Sequence, residues 1–475
     1  MADALPNLPL SYVDHHAQVH GARPALVDGA TVITYRELGQ RARAAAARLL
    51  AEGVGPGEVV GLQLANVWEY PVLELALPLI GAIVLPLPLS LGRSEIEHAL
   101  AATGARRVLG TAEAEALCGE PASGERLLEL PPPDPDPDRV VEVALTSGTT
   151  GMPKLASLHA GLKQATFERF TARLGVGLTD RVLVMSPLTQ GIGGMCLYCL
   201  RAGAALVMLR EPRFDAEHTL RTAARSRATL LVGVPTNVIR LLASPLLGET
   251  DLSTSRCTAV AGAPMPTEVA RAWESRTGSR VVSFYGTMDA GQLAVGSPED
   301  PVEKRWHSVG RPHDGVDWMI TPEGEICMRG PTVQRRYWGE ESGPLSEDGW
   351  AHLGDLGFVD ADGYLHVTGR LKDIIIRGGT NINPFEVEDH LRSLSGVRDA
   401  CVVGRPDPDL GERAVAFLVG EVTLDELRAH LAARGLAKYK WPELLELVEE
   451  LPLKGPGKVD RKLLKEMASA GSPLR

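Results

Sequence analysis

The sequence predicts a layered α/β protein that ends in a second, smaller α+β unit, and three observations carry that prediction. Helical patterns alternate with short β-branched runs through most of the chain. The texture changes near Ile374, after which strand-like runs and one capped helix fill roughly a hundred residues, enough for a small domain. The whole chain, at 475 residues, is too long for one ordinary core.

The elements follow in order. Thr34-x-x-Glu37 is a capping box, and Leu38, Ala42, Ala45 and Leu49 recur behind it at helical spacing. Gly53 to Gly57 stop that helix, and Val59 to Leu62 read as a strand. The alternation repeats with a helix near Trp68 to Leu79, a strand near Ala82 to Leu85 and a helix near Ser94 to Ala102. Pro131 to Asp138 cannot form helix and reads as a surface linker. Val140 to Leu145 follow as a buried strand, with further strands near Val182 to Met185, Leu230 to Val234 and Val281 to Phe284. In the last unit, Ala400 to Val403 and Ala414 to Val419 are strand-like, Thr423-x-x-Glu426 caps a helix, and Ala468 to Arg475 read as a frayed end.

Composition narrows the function classes. Apolar residues make up 44% and charged residues 23%, the balance of a globular protein rather than a disordered one. A net charge of −11 argues against a nucleic-acid surface, which needs Lys and Arg in excess. Six scattered cysteines do not make a disulfide framework. Cys196-x-x-Cys199 has no second pair to complete a zinc site, so buried free thiols are expected. The apolar stretch from Pro71 to Leu91 is broken by Glu74 and by prolines, so it is expected to be a buried helix and strand, not a membrane span. Met1 to Leu10 have no basic start and no apolar run, and a cytoplasmic protein is expected.

Chemistry concentrates in a few strings. After the strand Val140 to Leu145 comes Thr146-Ser147-Gly148-Thr149-Thr150-Gly151-Met152-Pro153-Lys154. Such a loop offers free backbone N–H groups and hydroxyls to a phosphate chain. It is not a G-x-x-x-x-G-K-[ST] loop, because Met152-Pro153 precede Lys154. Further on stand Phe284-Tyr285-Gly286-Thr287-Met288-Asp289, Gly262-Ala263-Pro264, Gly354-Asp355 and Gly369-Arg370-Leu371-Lys372-Asp373. Gly378-Gly379 lead to Asn383-Pro384-Phe385-Glu386-Val387-Glu388, and Gly457-Lys458-Val459-Asp460-Arg461 lies near the C-terminus.

In this order the strings resemble the adenylate-forming family, which includes acyl- and aryl-CoA synthetases, peptide-synthetase adenylation domains and luciferases. The pattern is most similar to the acyl- and aryl-CoA ligases and runs from about Pro24 to Lys465. The resemblance implies a large N-terminal domain, residues 1–370, of α/β layers plus a distorted β-barrel. A small mobile C-terminal domain, residues 371–475, would follow. It also implies ATP-dependent activation of a carboxylic acid to acyl-AMP, then transfer to a thiol.

The implied roles fall on this sequence as follows. Thr146, Ser147, Gly148, Thr149, Thr150, Gly151 and Lys154 hold phosphates. Tyr285 packs on adenine beside Gly286, Thr287 contacts the α-phosphate, and Asp289 helps hold Mg²⁺ where the family usually has Glu. Gly262, Ala263 and Pro264 line the adenine pocket and the floor of the acid pocket, which Met288 also joins. Asp355 takes both ribose hydroxyls, and Arg370 contacts ribose and phosphate. Lys372 is the hinge, and Gly378 and Gly379 line the thiol tunnel. Lys458, preferred over Lys454, is the adenylation lysine that offsets repulsion between carboxylate and α-phosphate. One departure concerns the acid pocket: the family often has Pro-x-x-His, whereas Pro187-x-x-Gln190 places a neutral amide there, followed by Gly191 and Ile192.

The leading expectation is an acid:CoA ligase for an aromatic or medium-sized apolar acid, using ATP, Mg²⁺ and coenzyme A. A stand-alone ligase that loads a carrier-protein thiol is the alternative, and transfer to an amine a third. A degenerate relative that only binds nucleotide would cite Asp289 and Gln190. Lys458, Asp355 and Arg370 speak against it.

Overall fold

A computed structural model of the protein describes residues 9–123, 125, 127–129, 136–146, 154–211, 213–288, 290–334, 336–454 and 458–470. Thr34 and Glu37 close the expected capping box, with the Thr34 N–H donating to Glu37 Oε2 at 2.7 Å. The helix Tyr35–Ala51 follows and buries Leu38, Ala42, Ala45 and Leu49 on one face. Burying Leu38 and Leu49 contributes about 1.5–3 kcal/mol each. The expected alternation is met by Val59–Leu62, the helix Glu69–Leu79, the strand Ile83–Pro86 and the helix Arg93–Thr103.

Among the described residues, the strands before residue 370 form three sheets. The largest has nine strands. Its centre, Ala205–Val207, Arg181–Val184, Leu230–Gly233, Cys257–Val260 and Arg280–Thr287, is parallel throughout. Gly291–Val295 and Arg311–Pro312 extend one edge antiparallel. A five-stranded sheet holds Val59–Leu62, Ile83–Pro86 and Val140–Leu145, with Leu155–His159 returning antiparallel. Asp317–Ile320, Glu325–Arg329, Ala351–Val359 and Leu365–Arg370 make a third, antiparallel sheet. Its pairings form an open ladder and do not by themselves close the expected barrel.

The helix Glu69–Leu79 is buried along its whole length, which explains its unbroken apolar character. Its Glu74 is buried too, and the carboxylate meets Lys163 Nζ at 2.8 Å, with Glu142 on the same ammonium. Pairing offsets the desolvation cost that would otherwise expel the charges. No helix among the described residues is long and apolar enough to cross a membrane.

The smaller C-terminal unit has its own sheet of five strands, built on the long antiparallel pair Val397–Asp407 and Gly411–Gly420. Its core, with Ile375, Val387, Leu391, Val402, Ala416 and Leu427, is separate from those of the larger unit. Thr423 caps Leu424–Ala433 through the expected box. The expected frayed end needs one correction. Ala468 is buried inside the helix Arg461–Ser469, because its small side chain packs with Leu464 under the sheet, and residues 471–475 lie outside the described residues.

Candidate active site

The large sheet explains why distant strings meet. In an open parallel sheet, ligands bind outside the carboxyl ends of the strands. Pro187 to Gln190 follow Arg181–Val184, Gly262 to Pro264 follow Cys257–Val260, and Tyr285 to Met288 close or follow Arg280–Thr287. Three sequence-predicted segments therefore share one sheet edge. Gly262, Ala263 and Pro264 are exposed there.

Asp355 comes to this edge from the third sheet. Antiparallel register sets it opposite Arg370, whose Nε lies 2.8 Å from Oδ1. The Tyr285 hydroxyl donates to Oδ2 at 2.7 Å. Asp355 is only 3% exposed, so the carboxylate is fixed from two sides while each oxygen keeps accepting capacity. Burial, and then the Asp355 charge, push the Tyr285 hydroxyl well above its ordinary pKa, so it remains a donor.

Sequence reasoning missed what stands behind Asp355. The Gly354 N–H donates to Glu325 Oε1 at 3.0 Å. The other oxygen of Glu325 meets His352 Nδ1 at 2.8 Å, and His352 Nε2 meets Asp348 at 3.1 Å. These contacts raise the His352 pKa, the Glu325 hydrogen bond first. Cys327 Sγ is 3.4 Å from the same ring, and burial pushes its thiol up to about 11. Glu325, Cys327 and His352 bring donor atoms within 4.8 Å of one another, but both imidazole nitrogens already face carboxylates. The geometry is that of a histidine held between two carboxylates, one of which also fixes the Gly354 N–H within the strand Ala351–Val359. Only strand register brings these residues together, so no sequence spacing announces them.

Of the phosphate loop, Ser147, Gly148, Thr149, Thr150 and Gly151 lie outside the described residues. Its ends are described. Thr146 is buried and its N–H donates to the Lys154 carbonyl at 2.9 Å, continuing the antiparallel pairing of Val140–Leu145 with Leu155–His159. Lys154 Nζ stands 4.4 Å from the centre of the Tyr337 ring, a cation–π contact not foreseen from the sequence. Asp289 also lies outside the described residues. Its neighbour Thr287 accepts the Ala290 N–H at 3.0 Å.

In the segment expected to form the acid pocket, Gln190 precedes the helix Gly191–Arg201. Its Oε1 is buried without a hydrogen-bond partner among the described residues. A Cβ on Gly191 would come 2.8 Å from Met288 Sδ, so the absence of a side chain lets Met288 sit against the helix start. Ile192 is half-buried and packs on the main core. Behind this helix, Gln292 Nε2 lies 3.7 Å from Met195 Sδ, and its Oε1 lies 3.0 Å from His313 Nε2. Burial, then Arg169 and Arg173, lower the His313 pKa to about 4, so the ring is neutral.

Lys372 sits in the single 3₁₀ turn Leu371–Asp373 between the third sheet and the C-terminal one. Partial burial, then Arg370, lower its pKa. Gly378 (φ +54°) and Gly379 (φ +78°) form a two-residue hairpin turn between Ile375–Arg377 and Thr380–Ile382. Both positions need positive φ, which glycine adopts without strain. Lys458 opens the short strand Lys458–Val459, paired with Leu453–Lys454; the side chains of Lys458 and Lys454 lie outside what the structure describes.

The arrangement has close relatives. The AMP-binding enzyme family matches residues 13–338, and the AMP-binding enzyme C-terminal domain matches residues 386–458. Feruloyl-CoA synthase of Amycolatopsis sp. is 35% identical over 465 residues, covering 92% of this chain and 94% of that one. Sulfoacetate–CoA ligase of Cupriavidus necator is 32% identical over 480 residues, covering 92% and 93%. ATP-bound MatB from Rhodopseudomonas palustris superposes with a TM-score of 0.85 at 27% identity, over 97% of this chain and 99% of that one. With family matches over residues 13–338 and 386–458 and a relative 35% identical across 92% of the chain, the chain belongs to the AMP-binding enzyme family, the adenylate-forming superfamily, as an AMP-forming acid–thiol ligase.

Proposed function

We propose that this enzyme uses ATP to convert an aromatic or medium-sized apolar carboxylic acid to acyl-AMP, releasing pyrophosphate, and passes the acyl group to the thiol of coenzyme A. The observation that carries the nucleotide half is Asp355, held by Tyr285 and Arg370 beside the carboxyl edge of the parallel sheet. A fixed, ionised carboxylate suits a pair of ribose hydroxyls. Thr146 to Gly151 and Lys154 would hold phosphates, and Tyr285 with Gly262, Ala263 and Pro264 would enclose adenine. Thr287 would contact the α-phosphate, Arg370 would contact ribose and phosphate, and Lys458 would offset charge during carboxylate attack. Asp289 and the Thr287 hydroxyl are hard oxygen donors of the kind Mg²⁺ prefers, and bound Mg²⁺ would neutralise phosphate charge.

The choice of acid rests on Gln190, Gly191, Ile192 and Met288. Met288 against Gly191 gives that wall an apolar surface without a fixed charge. The named substrates of the relatives span an aromatic acid and a small sulfonated one, and an apolar wall favours the former kind. Coenzyme A as acceptor is supported by the relatives' names, and Gly378-Gly379 would line its path. The 1–370 and 371–475 division is supported by the change of sheet between Arg370 and Ile375, with Lys372 as pivot. All six cysteines are buried and free, which suits action in the cytoplasm.

Pyrophosphate release across a panel of aromatic, aliphatic and charged acids, with and without coenzyme A, tests the reading. Turnover on apolar acids that needs coenzyme A is expected. Activity only with a phosphopantetheinylated carrier, or only with an amine, would replace the acceptor; release only with charged acids would replace the substrate class. Lys458→Ala should slow acyl-AMP formation by about 10² to 10³ while sparing thioester formation from supplied acyl-AMP.

A further inference from the structure

Arg461 lies three residues after Lys458 and begins the helix Arg461–Ser469. Its guanidinium makes contacts on three other elements. Nη2 donates to both oxygens of Glu388, at 2.6 and 2.7 Å, on the helix Pro384–Arg392. Nη1 donates to the Val402 carbonyl at 3.0 Å on the central strand. Nε faces Asp373 Oδ2 at 3.9 Å, on the 3₁₀ turn that holds Lys372. The guanidinium also stacks 4.3 Å from the Phe385 ring centre.

Glu388 is fully buried and also accepts the Val402 N–H at 2.7 Å. A buried ion pair is a poor source of stability compared with apolar packing, but its short directional bonds define position. The position defined here is that of the lysine strand relative to the hinge turn. Val459 packs into the cluster of Cys401, Val403, Phe417 and Leu464. Asp460 N–H donates to Pro452 O at 2.8 Å, so little slack remains between Arg461 and Lys458.

We propose that Arg461, clamped by Glu388 and facing Asp373, is a positioning residue for adenylation: it locks the strand of Lys458 to the hinge turn, so that rotation at Lys372 delivers and withdraws the lysine as one rigid body. The inference rests on the roles given above to Lys458 and Lys372. Arg461→Lys keeps the charge but replaces the planar fork, whose Nη1 and Nη2 reach Val402 and Glu388 separately, with a single nitrogen. Misplacement of a reacting group by about 1 Å can cost about a hundredfold in rate.

The test uses the full chain and separates the half-reactions. Single-turnover pyrophosphate release from ATP and acid reads the first; AMP release from supplied acyl-AMP and coenzyme A reads the second. Arg461→Lys should slow the first by about tenfold to a hundredfold and leave the second within about threefold. Combined with Lys458→Ala, it should add nothing to the loss from Lys458→Ala alone, because both act through one group. If Arg461→Lys fails to fold, Asp373→Asn cuts only the link to the hinge and should show the same split. Equal losses in both half-reactions, or losses that multiply with Lys458→Ala, would mean a merely structural role and overturn the inference. So would wild-type adenylation in Arg461→Lys. Undiminished adenylation in Lys458→Ala would overturn the lysine assignment itself, and the inference with it.

Discussion

The Tyr285 hydroxyl and Asp355 Oδ2 meet at 2.7 Å across 70 residues of sequence, tying the parallel sheet to the antiparallel one. This bond and the Arg370 contact fix the carboxylate that is proposed to take the ribose. Preorganisation of that kind lowers the ordering cost of binding.

Tyr285→Phe should therefore weaken nucleotide binding more than chemistry. A hydrogen bond to a charged group is worth about 1.5–3 kcal/mol net, and Arg370 still holds the other oxygen, so the lower end applies. The KM for ATP should rise about tenfold with kcat within a few-fold. Pyrophosphate release at varied ATP checks this, and an unchanged KM would show that the hydroxyl does not prepare the ribose site.

Gly191→Ala should change the acid rather than the nucleotide. The new Cβ would stand 2.8 Å from Met288 Sδ, and the flexible thioether must swing away. Overpacking costs about 1–3 kcal/mol, so the KM for a bulky aromatic acid should rise about tenfold or more. The KM for ATP should hold. A panel of acids of increasing width is the measurement, and uniform losses across it would place Gly191 outside the acid pocket.

Lys372→Pro should separate the half-reactions at the hinge. Proline fixes φ near −65° and removes an N–H, so one of the two domain orientations becomes inaccessible. Acyl-AMP should form within a few-fold of the wild-type rate, while thioester formation falls by about a hundredfold, or roughly 2.7 kcal/mol of barrier. Single-turnover pyrophosphate and AMP release read the two steps. Equal losses in both would point to unfolding, and none in either would put the pivot elsewhere.

His313 makes the fold acid-sensitive. Its pKa is about 4 in the folded chain against 6.5 as the ordinary value, so below pH 6.5 the unfolded state binds the extra proton. Its contribution is complete above about pH 6.5 and is lost as pH falls towards 4. Between pH 7 and pH 5 that loss is about 2 kcal/mol. Urea midpoints at the two pH values should fall more for the wild type than for His313→Gln. His352 acts in the opposite sense: its pKa is raised, so its contribution is lost as pH rises. Equal slopes in wild type and His313→Gln would show that the ring titrates normally.

What the sequence by itself determined is whatever depends on neighbours within a few residues. Thr34 with Glu37, and Thr423 with Glu426, announce their helices because a cap is a bond between positions three apart. The adenylate-forming strings were legible for a related reason: each is a contiguous run of residues whose pattern resembles a family motif. The hairpin turn at Gly378-Gly379 was not foreseen, because only the pairing of the flanking strands Ile375–Arg377 and Thr380–Ile382 reveals it. The tertiary structure decided the pairings. Sheet register set Asp355 against Arg370 and Cys327 beside His352; packing between elements set Tyr285 on Asp355, Lys154 on Tyr337 and Arg461 on Glu388. No spacing encodes such contacts, because a one-residue slip in register would turn each side chain to the other face of its strand, and only burial of the whole apolar set selects one register.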